Sequence, residues 1–374
     1  MNHRIMFAAI GVVLLAVLPT TSRAQFSLET SLTTMYDDNI QNNYFQISDK
    51  ISTLNVNTGY NMEGNTWNAR LFYDGGLNYY QNVIARTNQF HSGNALFVHN
   101  SGDDAENTLS LGLSYGQGSY RESYSFYGHS LLSASANYKQ FLSDNIINKV
   151  GYTVRLMNFS QLDDFSYSEH AFSANFSFAL PTKTTVIVQT DLGAKFYSTS
   201  APEAGSGGMR KGMSSIAPGV TQMSGMIRAG QSIVEGTGLS LTMRYQWNIQ
   251  KQTRYLSSEY GVMSDDELFD DHYGYEGLQT NLMLTQVISE SMLLKVSGGI
   301  HSRLYSSLAA YDLDGTQVAA QRVDQRSYLS VLFQKNFDIG FSLKAAYDLI
   351  RNGSNDVFYD YRNNAMTLDF TVPF

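Results

Sequence analysis

Apolar and polar residues alternate with a period of two along most of this chain. Over 238–250, Leu239, Leu241, Met243, Tyr245, Trp247 and Ile249 share one face, and Ser240, Thr242, Arg244, Gln246, Asn248 and Gln250 share the other. Side chains of a strand project to opposite faces in turn, so this segment predicts a strand with one apolar and one wet face. Similar runs recur at 171–180, 184–198, 292–305 and 339–350. A soluble sandwich alternates too, but with strands of ~5–6 residues. The runs here exceed the ~9–11 residues that a tilted strand needs to cross a bilayer.

Extended along the chain, the pattern predicts about 16 strands, with roughly 14–18 compatible. They lie near 26–36, 51–61, 66–80, 89–99, 107–118, 128–142, 146–160, 169–180, 184–198, 219–233, 238–252, 276–288, 291–305, 326–336, 339–350 and 361–374. Short connections alternate with longer polar ones at 37–50, 81–88, 119–127, 161–168, 199–218, 253–275, 306–325 and 351–360. Short periplasmic turns alternating with long external loops is the plan of a bacterial outer-membrane barrel. Hydrocarbon supplies no hydrogen-bond partners, so such a sheet must close and leave no edge. The fold class expected is therefore all-β, a transmembrane antiparallel up-and-down barrel with both termini periplasmic. Phe26, Trp67, Tyr138 and Phe374 near one set of ends, and Tyr36, Tyr79, Tyr115 and Trp247 near the other, suit aromatic girdles at the two headgroup zones.

The first 24 residues break the pattern. His3 and Arg4 precede an unbroken apolar run from Phe7 to Leu18, and Ser22 and Ala24 place small residues before Gln25. This is the layout of a cleavable signal peptide, 1–24, leaving the barrel at 25–374. The apolar run is too short to span ~30 Å of hydrocarbon as a helix. Composition agrees with export into a membrane. Charged residues make up 16%, below the ~25% of ordinary soluble domains. Cysteine is absent, which excludes disulfides, thiol nucleophiles and thiolate metal sites.

Two local sequences resemble known families. Met366, Leu368, Phe370, Val372 and Phe374 alternate to a terminal aromatic residue, which resembles the C-terminal signature of Gram-negative outer-membrane barrels. The resemblance implies recognition of Leu368, Phe370, Val372 and Phe374 by the barrel-assembly machinery. Pro373 departs from that pattern. Tyr36-Asp37-Asp38-Asn39 resembles the element opening the barrels of a family associated with exopolysaccharide synthesis and export. Gln41 and Asn42 stand where that family often has an apolar residue and Arg.

Candidate chemistry is sparse. The His residues have no metalloprotease spacing, and His99 with Ser101 sits in a predicted turn without a third residue to orient it. No enzymatic activity, cofactor or nucleic-acid partner is expected, and a lipid hydrolase is the remote alternative. Asp265, Asp266, Glu267, Asp270 and Asp271 form an acidic loop cluster that could hold Ca²⁺ or be a solvated face bridged to lipopolysaccharide. The wet face of the strands is more informative. It carries Arg70, Arg155, Lys195, Arg228, Arg244, Lys295, Arg303 and Lys344 against Glu29, Asp74, Asp191, Asp348 and Asp369. The whole chain has a net charge of −8, yet this wall is modestly basic. Wall charges set the ion preference of a pore. The pattern predicts a channel for hydrophilic solutes or polysaccharide with a leaning toward anions. A self-neutralising ion-pair network inside an occluded barrel, serving surface interaction or assembly, remains the alternative.

Overall fold

The computed structural model describes residues 23–102, 107–198, 219–251, 272–306, 308–338 and 340–373. Sixteen long strands form one closed antiparallel barrel. In chain order these are β1 (Arg23–Asp37), β2 (Asp49–Glu63), β3 (Trp67–Tyr80), β4 (Asn88–Ser101), β5 (Asn107–Tyr120), β6 (His129–Ser143), β7 (Ile146–Phe159) and β8 (Tyr167–Leu180). There follow β9 (Thr184–Tyr197), β10 (Gly219–Val234), β11 (Thr237–Lys251), β12 (Gly277–Ser289) and β13 (Met292–Tyr305). After a small two-stranded hairpin, β14 (Ala310–Tyr311) and β15 (Gln317–Ala319), the barrel resumes with β16 (Arg322–Asn336), β17 (Ser342–Ser354) and β18 (Tyr361–Pro373). Each barrel strand pairs with its neighbours in sequence, and β1 closes on β18. A strand of about 14 residues is roughly 46 Å long, and a ~45° tilt projects this to about 33 Å, enough to cross the hydrocarbon.

The period-two pattern dictates which face looks out. Leu239, Leu241, Met243, Tyr245 and Ile249 are all exposed on one face of β11, while Gln246 and Asn248 on the other are buried. The convex outer surface spreads its side chains apart, and the concave lumen crowds them together. Short turns gather at one end of the barrel and longer loops at the other. Gly236, at φ +77°, supplies the left-handed residue of the β10–β11 turn, and a Cβ there would press on the Val287 carbonyl.

The buried apolar packing sits mostly at the loop end rather than in the barrel centre. Tyr127, Met157, Phe159 and Leu162 form a buried cluster under the loops after β5 and β7. Arg322 is another anchor: its guanidinium binds Asp324 at 3.0 and 2.6 Å and lies 4.4 Å from the Tyr305 ring centroid. The element at Tyr36–Asn39 has a clear structural role. The Asp38 carboxylate accepts from the Asn364 backbone N–H (2.6 Å) and side-chain amide (2.5 Å). Asn39 donates to the Asn43 carbonyl at 2.7 Å, and Asn363 donates to the Asn39 carbonyl at 2.9 Å. These bonds knit the chain's first loop to its last strand, where the sheet closes.

The structure refines several expected boundaries. The loop expected at 306–325 contains the β14–β15 hairpin, and β16 begins already at Arg322. β17 starts at Ser342 and runs on to Ser354. β4 continues through Ser101, so His99 and Ser101 lie in a strand rather than in a turn. Residues 1–22, the loop 199–218, the acidic cluster Asp265, Asp266, Glu267, Asp270 and Asp271, and Phe374 lie outside the described residues.

Candidate functional site: the luminal wall

Strand register places Arg70, Asp74, Arg155, Asp191, Lys195, Arg228, Arg244, Lys295, Arg303, Lys344 and Asp348 on the face opposite the exposed apolar stripe. What each can do there differs. Arg155 donates from Nη1 to both Glu169 carboxylate oxygens at 3.1 Å. Glu169 also faces Lys195 directly across β8 and β9. Arg244 lies 3.4 Å from Asp191, and Lys344 lies 3.9 Å from Asp369. Asp74 accepts from Asn57 and Asn94, and the Arg70 guanidinium packs 4.9 Å from the Phe72 ring centroid. The wall is thus partly self-neutralised, as one of the two sequence readings allowed.

Lys195 does not meet water as a pore-lining cation would. It is only 1% exposed, with its ammonium 4.1 Å from the Tyr167 ring centroid and 5.1 Å from that of Tyr197. Arg228 and Lys295, by contrast, are exposed on the inner face with no ion pair among the described residues.

The segment before β12 shapes the lumen. Gln222 donates to the His272 carbonyl (2.8 Å), and Asn248 donates to the Tyr273 carbonyl (3.0 Å). Gln246 adds a bond to the His272 carbonyl at 3.1 Å. These inward amides hold the segment against β10 and β11, so the Tyr273 hydroxyl reaches Glu169 and donates to it at 3.0 Å. Gly193 makes the approach possible, because a Cβ there would collide with the Tyr273 hydroxyl. Beneath Tyr273 lies a cavity of about 230 Å³ whose wall includes Arg155, Glu169, Asp191 and Arg244. A second luminal cavity, about 300 Å³, is lined by Gln279, His301, Arg303, Arg326 and Asp348. Arg303 there donates to His301 at 3.2 Å and stacks 4.5 Å from the Tyr275 ring centroid.

Glu169, Tyr273 and Arg326 therefore belong to this wall although the sequence pattern did not single them out as sites. Lys139 and Lys149, opposed across β6 and β7, also share the inner face. Strict alternation outward from Tyr138 and Tyr152 would have placed both lysines there, and alternation from Leu329 would have placed Arg326. Tyr273 gave no such signal, since it precedes the strand.

No protein-family model matches the chain, and no curated protein matches it. Solved structures do. OccAB1 of Acinetobacter baumannii superposes with a TM-score of 0.56 at 9% identity, over 94% of this chain and 96% of that one. OpdK of Pseudomonas aeruginosa, crystallised with vanillate, gives 0.52 at 10% identity over 94% and 99%. The fold is that of outer-membrane porins. A bacterial polysaccharide outer membrane secretin gives 0.50 at 9% identity, over 93% of this chain and 98% of that one. At such identities the likeness speaks for the porin fold and not for a shared cargo.

Proposed function

We propose that this chain is a non-enzymatic outer-membrane channel for small hydrophilic solutes with a preference for anions. The turn end faces the periplasm and the loop end the outside. The observation that carries the reading is the second luminal cavity, where Arg303 and Arg326 face one carboxylate, Asp348, across about 300 Å³. A cavity of that size matches a small molecule rather than a polymer. Guanidinium groups offer paired donors to a carboxylate or phosphate. Inward packing of Tyr273 against Glu169 fills lumen space beside β8 and β9 and also favours a small cargo over the polysaccharide that the Tyr36–Asn39 element suggested.

A second reading has one observation behind it. The loop end is closely packed, with Tyr127, Tyr305 and Tyr361 all buried, as in a barrel whose mouth is shut and whose surface does the work. Liposome swelling separates the two. Proteoliposomes should swell faster in small carboxylates than in amines of equal size, and slowly in oligosaccharides. Equal exclusion of all three solutes by correctly folded barrels would favour the shut barrel.

A further inference from the structure

Charge is nearly absent from the outer face of the barrel. Among the described residues of the long strands, the charged side chains that share the face of the apolar stripe are Lys50, Lys335, Arg351 and Arg362. Three of these, Lys50, Arg351 and Arg362, lie toward the loop end, the two arginines on paired strands. Arg351 of β17 stands directly opposite Arg362 of β18. Lys50 of β2 lies two strands beyond β18, opposite Tyr36 of β1, which itself pairs with Met366. All three basic side chains are exposed.

Directly opposed residues on an antiparallel pair hold their Cβ atoms ~4.5–5.5 Å apart, and like charges so placed repel. No ion pair among the described residues reaches Arg351 or Arg362. Next to them is a cavity of about 580 Å³, whose wall includes Gln46, Ser327, Leu349 and Asp360. Asp360 offsets one of the positive charges and leaves an excess. Toward the turn end the same outer surface becomes apolar, with Leu329, Met366 and Leu368 all exposed.

We propose that Arg351 and Arg362 form an outward-facing site for the phosphate groups of lipopolysaccharide in the outer leaflet. The planar guanidinium fork matches phosphate oxygens, and two opposed guanidiniums can clamp one phosphate dianion that relieves their repulsion. The apolar stripe below meets the acyl chains of the same molecule, which selects a phosphorylated lipid over a free anion. This site rests on the outer-membrane orientation given above.

The test uses the purified full-length barrel and its R351Q/R362Q variant, with K335Q as a control at the other rim. Lipid retained through detergent exchange is measured by native mass spectrometry, and barrel integrity by heat-modifiable gel mobility. Three probes are offered: lipopolysaccharide, its dephosphorylated form and inorganic phosphate. The double variant should retain about fivefold less phosphorylated lipid, the upper end for exposed ion pairs, while K335Q matches the wild type. Dephosphorylation should reduce wild-type retention to the variant's level, and R351K/R362K should restore part of it. Equal retention by wild type and folded double variant overturns the site. So does retention that ignores dephosphorylation, or full displacement by equimolar inorganic phosphate. Because the chain has no cysteine, a single cysteine at Asp314 reports orientation separately through an impermeant maleimide on intact cells. Failure of that labelling sinks the membrane orientation, whereas labelling with unchanged lipid retention sinks only the phosphate site.

Discussion

Replacing Glu169 with Gln should make the channel more anion-selective. The carboxylate is 4% exposed, held by Arg155 at 3.1 Å and by the Tyr273 hydroxyl at 3.0 Å, and it faces Lys195 across the strand pair. Glutamine keeps the volume and an acceptor for Tyr273, so the wall keeps its shape and loses one negative charge. For an anion passing about 6 Å away, that charge repels by about 0.7 kcal/mol in bulk water and about 2.8 kcal/mol at an effective dielectric constant of 20. These correspond to roughly threefold and hundredfold in local anion occupancy. The Arg155 side chain is 43% exposed, which shows that water reaches the site. The low end, about threefold to tenfold, is therefore expected. The assay is the reversal potential across a planar bilayer under a KCl gradient. It should move toward the chloride equilibrium potential, and more so near 0.01 M salt, where the screening length is ~30 Å, than near 1 M, where it is ~3 Å. An unchanged reversal potential, or a shift toward potassium, would refute the claim that this wall acts on permeating ions.

Other outcomes follow from the same structure. Arg244→Gln leaves Asp191 without its cation partner at 3.4 Å and should move selectivity the opposite way, toward cations, in the same assay. Tyr273→Ala removes the hydroxyl contact to Glu169 and should raise single-channel conductance without changing the heat-modifiable mobility of the barrel. Asp38→Ala deletes two bonds to Asn364 where the sheet closes and should cost about 1–3 kcal/mol, read as a lower midpoint of thermal unfolding in detergent. Asp356, in the loop after β17, is buried, and burial raises its carboxyl above the ordinary value of 3.8 against the lowering effect of N–H donors from Tyr311 and Phe358. A raised folded value means that its contribution to stability is full below pH 3.8 and declines as pH rises through the raised value. Hydrogen exchange of 310–319, corrected for its intrinsic pH dependence, should show protection fading over that interval in the wild type and staying flat in Asp356→Asn.

The barrel was legible because each outward residue answers to hydrocarbon and each inward one to water, one after the other. That rule located sixteen strands and put Arg228, Arg244 and Lys295 on the inner face. It weakened at the loop end, where β16 and β17 rise above the apolar band and carry Asp324, Gln325, Asn352 and Ser354 without a clear stripe. Contacts made across long sequence separations were not legible. Tyr273 meets Glu169 from 104 positions away, and no local pattern announces it. Burial of Lys195 was only half visible: Tyr197 shares its strand and face two positions on, but the ring of Tyr167 comes from the neighbouring strand. The Tyr36–Asn39 element was visible as a resemblance. Its work in the structure, tying the first loop to Asn363 and Asn364, depended on the barrel being closed.

An open, water-filled path through a folded barrel must carry ions, and single-channel recording of the purified protein in a planar bilayer shows whether it does. Stepwise conductance that scales with salt concentration is the predicted result. Heat-modifiable, correctly folded barrels that insert into the bilayer and pass no current would contradict it.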